Sequence, residues 1–242
     1  MNIAMVLAGG SGTRLGSSIP KQFLPVAGKP VIVYTLEALE SAHNIDAVCV
    51  VCVASYQDRL GNLVEQYGLN KVRWVAAGGA SFQESARSGI SCLTASADND
   101  DVVMMIMSVQ PLISPDIIDD SLRVCREHGN AVAGSESIYN FSPIHDGLWS
   151  DSYTLKHGQM TLNMPWTFPI RYIADAYERA EDRGIGMGLF DYPPTMLMDL
   201  GERIYFSKDS SLNQLKITTT DDLDLFESYL RLQEARQKGS LS

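Results

Sequence analysis

The chain has 242 residues, of which 45% are hydrophobic and 20% are charged, and its formal net charge at pH 7 is −10. This length suits a single α/β domain, and the acidic balance argues against non-specific binding to nucleic acid or to an anionic membrane. Because no apolar stretch reaches membrane-spanning length and no basic segment precedes a long apolar one at the N-terminus, we expect a soluble, cytoplasmic protein.

Strands and helices alternate along the first half of the chain. In chain order, the patterns predict a strand at 2–7, a helix at 31–39, a strand at 46–53, a helix at 56–67, a short strand at 72–75, a helix ending at 93 and a strand at 101–107. This alternation is typical of parallel strands joined by right-handed crossovers. It predicts a Rossmann-like α/β fold with a mostly parallel central sheet and helices on both faces.

The second half begins with a helix at 114–128, in which Ser114 is the capping residue and Pro115 occupies the first helical position. The pattern is irregular from about 135 to 165, and we interpret this segment as an arm that protrudes from the domain. The remaining predicted elements are a helix near 169–183, a strand at 203–206 and a helix at 221–237. We expect residues 1–242 to form one domain that carries this arm.

The four cysteines are predicted to be packing residues. Cys49 and Cys52 form a C-x-x-C pattern inside the predicted strand 46–53. Since residues three apart on a strand point to opposite faces, we favour a core role for both over a redox or zinc site. Cys92 and Cys125 are isolated in helical contexts, and the four histidines show no catalytic or metal-binding spacing.

A glycine-rich segment follows the first strand directly. It comprises Leu7, Ala8, Gly9, Gly10, Ser11, Gly12 and Thr13, followed by Arg14 and then by Lys21 within Pro-Lys-Gln-Phe. Glycines let successive backbone N–H groups converge on an anion, and the two cations suit a triphosphate. The spacing differs from those of a P-loop and of the dinucleotide-binding motif. A turn that only lets a helix pack near a strand is the alternative interpretation.

This segment resembles the L-A-G-G-x-G-x-R-[ML]-G…P-K-Q-F signature of nucleotidyltransferases that activate small phosphorylated alcohols and sugars with CTP. Two later segments extend the resemblance to residues 1–232. Gly78-Gly79…Ser85 is similar to the second nucleotide motif of the family that makes CDP-methylerythritol and CDP-ribitol. Lys216-Ile-Thr-Thr-Thr-Asp-Asp-Leu223 is similar to the K-I-T-T-P-E-D-L signature of that family.

The resemblance implies transfer of CMP from CTP to a small phosphorylated polyol or sugar alcohol, such as a ribitol, glycerol or erythritol phosphate, to give a CDP-alcohol and pyrophosphate. It implies that Arg14, Lys21 and Lys216 act on the reacting phosphates, that residues 7–13 bind the nucleotide, and that Gly79, Ala80 and Ser85 meet the cytosine. It further implies a homodimer in which the arm lends residues to the neighbouring subunit's acceptor site. The alternative interpretation of Ser85 is an ordinary residue near a helix N-terminus, which we would favour without the resemblance. The alternative for Lys216 is a cation on an exposed turn before the last helix.

Several positions depart from the family pattern. Met107 and Gln110 stand where the family has the Asp and Arg of H-D-A-A-R-P, Phe82 replaces an Arg, and residues 163–166 replace Q-T-P-Q. Because methionine does not ligate Mg²⁺, we expect Mg²⁺ to be held mainly through the nucleotide and assign it no protein ligand. The alternative is a degenerate, catalytically weak member that binds a cytidine nucleotide as a regulatory or scaffold subunit. Transfer from GTP is disfavoured by the two later motifs.

Overall fold

A seven-stranded sheet forms the centre of the computed structural model, which describes residues 1–10, 19–98, 100–185 and 192–239. The strands are β1 (Asn2–Ala8), β2 (Pro25–Val26), β3 (Lys29–Pro30), β4 (Ala47–Cys52), β5 (Val72–Ala77), β6 (Val102–Met107), β7 (Ala131–Ala133), β8 (Asn163–Pro169) and β9 (Phe206–Ser207). The helices are α1 (Val31–Ser41), α2 (Gln57–Tyr67), α3 (Phe82–Ser96), α4 (Pro115–His128), α5 (Ile170–Arg183), α6 (Pro193–Asp199) and α7 (Thr220–Gln237).

The strand order in the sheet is β5-β4-β1-β6-β8-β7-β9, and β2 pairs with β3 in a separate small hairpin. β1 pairs in parallel with β4 and β6, β5 is parallel to β4, and β9 is parallel to β7. Only β8 runs against its neighbours β6 and β7. The prediction of a mostly parallel α/β sheet is therefore confirmed.

Helices cover both faces of the sheet, so the central strands are apolar on both sides instead of alternating. One face of β1 and β4, including Met5 and Cys49, packs with α3 and α5. The other face, including Val6 and Cys52, packs with α1, α2 and α4. Cys49 and Cys52 thus lie on opposite faces, as predicted, and burial raises the pKa of the Cys52 thiol to about 11.

Three buried elements, β7, β8 and α6, were not predicted from the sequence. β8 contains Pro165 and Pro169, and prolines argue against a central strand, yet this strand lies buried between β6 and β7. α6 begins with two consecutive prolines. The predicted strand at 203–206 was wrong in its extent, because only Phe206 and Ser207 pair with β7.

The arm predicted at 135–165 leaves the sheet after β7 and returns to it through β8. Its two limbs are joined by isolated antiparallel bridges between Glu136 and Met160, Phe141 and Thr154, and His145 and Trp149. Large apolar side chains along it are exposed, namely Ile138, Tyr139, Ile144, Leu148 and Tyr153. Among the described residues, no helix is both long and apolar enough to cross a membrane.

Candidate active site

A cleft of about 510 Å³ opens at the carboxyl ends of the central strands. Its walls come from the segments that follow β1, β4, β5 and β6, together with Lys216 and Thr218 just before α7. After β1 the chain builds the sheet outward through β4 and β5, and it then returns to place β6 on the other side of β1. In open α/β sheets, ligands bind where the strand order reverses in this way.

The cleft brings together predicted site residues that lie far apart in sequence. Those of them that the structure describes all line it: Leu7, Ala8, Gly9, Gly10, Lys21, Gly79, Ala80, Ser85 and Lys216. Ser11, Gly12, Thr13 and Arg14 lie outside the described residues. The three motifs therefore meet in one place, although their roles toward a ligand stay predictions.

The two glycine loops are in direct contact with each other. A Cβ on Gly9 would lie 2.7 Å from the Ser85 Oγ, and a Cβ on Gly78 would lie 2.9 Å from the Gly9 Cα. Both positions therefore need glycine for packing alone. Gly10 is different, because a Cβ there would meet no atom of the described residues within 4 Å. Packing against the described part of the chain does not account for glycine at position 10, which lines the cleft.

Ser85 holds the second glycine loop in shape. Its side chain is buried, and its Oγ accepts a hydrogen bond from the Gly79 N–H (3.0 Å) and donates one to the Ser81 carbonyl (2.9 Å). Ser81 caps α3 by accepting from the Glu84 N–H, and the Glu84 carboxylate accepts from the Ala80 N–H. The Ser85 hydroxyl therefore retains one lone pair for a ligand.

The segment that carries Lys216 is anchored by hydrogen bonds of the residues that follow it. The Ile217 N–H donates to the Val109 carbonyl (3.0 Å), which ties the segment to the loop after β6. Asp222 accepts hydrogen bonds from the Thr218 N–H and hydroxyl and from the Thr219 N–H. Partial burial alone would raise the pKa of Asp222, but these hydrogen bonds outweigh it and lower the pKa.

Sequence reasoning missed one buried residue beside the first glycine loop. Gln22 follows Lys21, lines the cleft, and donates hydrogen bonds to the carbonyls of Ala8 and Gly10. The signal was present in Pro-Lys-Gln-Phe, but the side chain was given no role there. Tyr192 also lines the cleft, in a region with no recognisable motif.

The positions that depart from the family pattern make one wall of the cleft apolar. Phe82 and Tyr192 line the cleft and meet edge to face at 5.0 Å, and buried Trp166 packs behind them at 5.9 and 5.6 Å. Gln110 does not line the cleft; its amide donates to the Asn213 carbonyl inside the protein.

No carboxylate is among the described residues that line the cleft, and Met107 stands at the end of β6. The described part of the chain also lacks any group of three or more His, Cys, Asp or Glu side chains that could hold a metal ion. Mg²⁺ prefers oxygen ligands, so these side chains do not form a magnesium site by themselves.

Comparison with known proteins shows which family this chain matches. Residues 2–232 match the model of the 2-C-methyl-D-erythritol 4-phosphate cytidylyltransferase (IspD) family. The chain belongs to the IspD family. The resemblance inferred from the three motifs is therefore confirmed over nearly the whole chain.

Relatives within the IspD family carry two different names. The chain is 36% identical to a ribitol-5-phosphate cytidylyltransferase of Lacticaseibacillus paracasei, over 97% of this chain and 100% of that protein. It is 32% identical to a 2-C-methyl-D-erythritol 4-phosphate cytidylyltransferase of Syntrophus aciditrophicus, over 97% of each chain. The solved 4-diphosphocytidyl-2C-methyl-D-erythritol synthase of Anaerococcus prevotii superposes with a TM-score of 0.79 at 20% identity, covering 96% of this chain and 98% of that one, which supports the fold.

Proposed function

We propose that this protein transfers CMP from CTP to a small phosphorylated polyol or sugar alcohol and releases pyrophosphate. The observation that carries the proposal is the meeting of Lys21, Lys216 and both glycine loops in one cleft of an IspD-family chain. Two lysines beside backbone loops suit a ligand with several phosphates at one end and a base at the other.

The chemistry needs charge neutralisation more than proton transfer. An acceptor phosphate oxygen forms a bond to the α-phosphorus of CTP while the bond from that phosphorus to the bridging oxygen of pyrophosphate breaks. Because the attacking phosphate is already ionised at neutral pH, no general base is required. The side chains of Lys21 and Lys216, and that of Arg14 in its predicted role, neutralise the charge that develops on the phosphates. The glycine loops position these phosphates.

Mg²⁺ enters this proposal as a companion of the nucleotide. The side chains described at the cleft offer it hydroxyl groups but no carboxylate. We therefore assign its binding mainly to the triphosphate oxygens and water. The metal's role when bound is to neutralise phosphate charge.

The acceptor of first choice is ribitol 5-phosphate, because the relative at 36% identity carries that name, whereas the methylerythritol-phosphate relative described above is 32% identical. The proposed working form is a cytoplasmic homodimer joined through the arm, with no nucleic-acid or membrane partner. The exposed apolar side chains of the arm support the dimer, and the net charge of −10 supports the absence of anionic macromolecular partners.

Nucleotide preference is tested by the thermal shift of the protein with CTP, UTP, GTP and ATP in the presence of Mg²⁺. Turnover is tested by pyrophosphate release with CTP and ribitol, methylerythritol or glycerol phosphates. Lys21→Ala should reduce transfer by roughly 10- to 100-fold, since one charge-assisted contact contributes about 1.5–3 kcal/mol, whereas Lys238→Ala on the exposed C-terminal side should not. Stabilisation by GTP but not by CTP would contradict the proposal.

A second candidate function is a regulatory subunit that binds a cytidine nucleotide without efficient turnover. The observation that favours it is Met107 in a cleft whose described lining has no carboxylate. CTP binding without pyrophosphate release for every acceptor in the panel would select this candidate.

A further inference from the structure

Gln22 occupies an unusual position for a polar side chain. It is only 1% exposed, and its Nε2 donates to the Ala8 carbonyl at 2.6 Å and to the Gly10 carbonyl at 3.1 Å. Both hydrogens of the side-chain amide are thereby used. Since Ala8 ends β1 and Gly10 belongs to the glycine loop, one side chain spans Gly9 and joins the strand to the loop.

These two hydrogen bonds act on the electrostatics of the loop. Carbonyl oxygens carry partial negative charge and repel phosphate oxygens, whereas backbone N–H groups attract them. Gln22 holds two carbonyls of the loop and offsets part of their negative charge. In a trans peptide the N–H points opposite to the carbonyl, so fixing the Ala8 carbonyl also fixes the direction of the Gly9 N–H.

The same turn also fixes Lys21. Residues Lys21–Phe23 form a short 3₁₀ turn, and Phe23 is fully buried and stacks on Tyr56 with ring centroids 4.9 Å apart. The Arg59 guanidinium lies 5.6 Å from the Phe23 ring centroid. The backbone that carries Lys21 is therefore held to the glycine loop by Gln22 and to the core by Phe23.

We propose that Gln22 is a positioning residue, which sets the separation between the Lys21 ammonium group and the phosphate-binding backbone of the first glycine loop. It acts through these two neighbours without touching the reacting phosphorus. This inference rests on the proposed function, because the ligand that it concerns is the triphosphate of CTP.

Gln22→Met tests the inference, because it keeps the length of the side chain and removes both N–H donors. The measurement is the ratio of the affinities for CTP and for cytidine, by calorimetry with Mg²⁺ present. Losing two hydrogen bonds should cut this ratio about tenfold or more, while cytidine itself binds as before. The rate of pyrophosphate release at saturating CTP should fall as well.

Asn130→Leu is the matched control. Asn130 is also a buried amide, 3% exposed, and it donates to the Arg203 carbonyl (2.8 Å) and accepts from the Tyr205 N–H (3.0 Å). It directly precedes β7, which runs in the same direction as β6, so it lies at the amino ends of these strands, whereas the cleft lies at the carboxyl ends of the central strands. Its variant should lower the melting temperature and leave the CTP-to-cytidine ratio unchanged.

Gln22→Glu provides a second variant with a pH readout. A protonated carboxyl group retains one donor for these carbonyls and a carboxylate retains none. The activity of this variant relative to wild type should therefore rise as the pH is lowered.

Two results would overturn the inference, and they are distinguishable. If wild type prefers CTP to cytidine and Gln22→Met keeps that whole preference, Gln22 has only a structural role. If wild type binds CTP no more tightly than cytidine, the proposed function is wrong and the inference falls with it.

Discussion

Neighbouring glycines of the first loop serve different purposes. A Cβ on Gly9 would press on the Ser85 Oγ, whereas a Cβ on Gly10, which lines the cleft, would meet none of the described residues. Packing of two loops thus explains one glycine, and we propose that approach of a ligand to the backbone explains the other. This difference can be tested with the same substitution at both positions.

Gly9→Ala should lower the free energy of unfolding by about 1–3 kcal/mol, because the added methyl group forces the two loops apart. Gly10→Ala should leave the melting temperature near that of wild type and weaken CTP binding, because its methyl group stands where phosphate approaches. Thermal unfolding and calorimetry measure the two effects. Unchanged CTP binding by folded Gly10→Ala would remove the phosphate role of this position.

The residue at position 107 bears on how Mg²⁺ is bound. If Mg²⁺ is held mainly by the nucleotide, calorimetry should detect little Mg²⁺ binding to the nucleotide-free protein. Met107→Asp should add a hard ligand and tighten Mg²⁺ binding, whereas Met107→Asn, which has the same shape without the charge, should do so far less. Placing a carboxylate at the end of an apolar strand should also lower stability.

Tight Mg²⁺ binding by the nucleotide-free wild type would contradict this prediction. It would mean that a carboxylate outside the described residues, such as Asp191, supplies the ligand.

Many of the residues that line the cleft could be predicted from the sequence, but the hydrogen bonds that fix its two glycine loops could not. The resemblance of three motifs to one family assigned Lys21, Gly79 and Lys216 to one site, and the structure brings these residues together in one cleft at the carboxyl ends of the central strands. The hydrogen bonds of Gln22 and Ser85 depend on the contact between two loops that are distant in sequence. Such contacts have no local pattern, so they emerge only in three dimensions.

At the scale of elements, the start of α7 links stability to the cleft. Thr219 accepts a hydrogen bond from the Asp222 N–H, and the Asp222 side chain accepts from the Thr218 and Thr219 N–H groups. This reciprocal arrangement is a capping box. It also fixes Thr218, which lines the cleft two residues after Lys216.

Asp222→Asn should lower the free energy of unfolding by about 1 kcal/mol at neutral pH, a usual contribution of a helix cap. Because the folded-state pKa of Asp222 lies below its ordinary value of 3.8, its stabilisation is complete above that value and is lost as the pH falls through the folded pKa. Thermal unfolding of both proteins from pH 7 to pH 2 should show their difference shrinking below about pH 4. A difference that stays constant over this range would contradict the assignment.

Element prediction succeeded where the local pattern and the tertiary context agree. β1 and β4 are continuous apolar runs because helices bury both their faces. The prediction missed β8 because its prolines suggest a loop. Pairing with the neighbouring strands β6 and β7 makes this segment a strand.

Among the residues that the structure describes, most of the exposed large apolar side chains lie on the arm. Leu148 near the tip is 85% exposed, and other large apolar side chains of the arm are exposed beside it. An extended hairpin with isolated bridges gains little stability by itself. A second subunit that covers this surface would provide the missing burial.

Leu148→Asp should therefore weaken the proposed dimer, and light scattering after gel filtration should show a concentration-dependent shift to monomer. Leu225→Asp is the control, because Leu225 on α7 is also exposed, at 60%, but lies outside the arm. The Leu148 variant should still bind CTP but transfer CMP poorly. A monomeric wild type would rule out the dimer.

β1 lies between β4 and β6, and its residues from Ile3 to Ala8 are buried. The backbone amides of such a strand exchange their hydrogens with deuterated solvent mainly through global unfolding, whereas the isolated bridges of the arm open locally. Since Leu7 and Ala8 of β1 line the cleft, we expect this part of the cleft to exchange as slowly as the centre of the sheet. A nucleotide bound there should slow exchange across the whole sheet, not only at the residues that it touches.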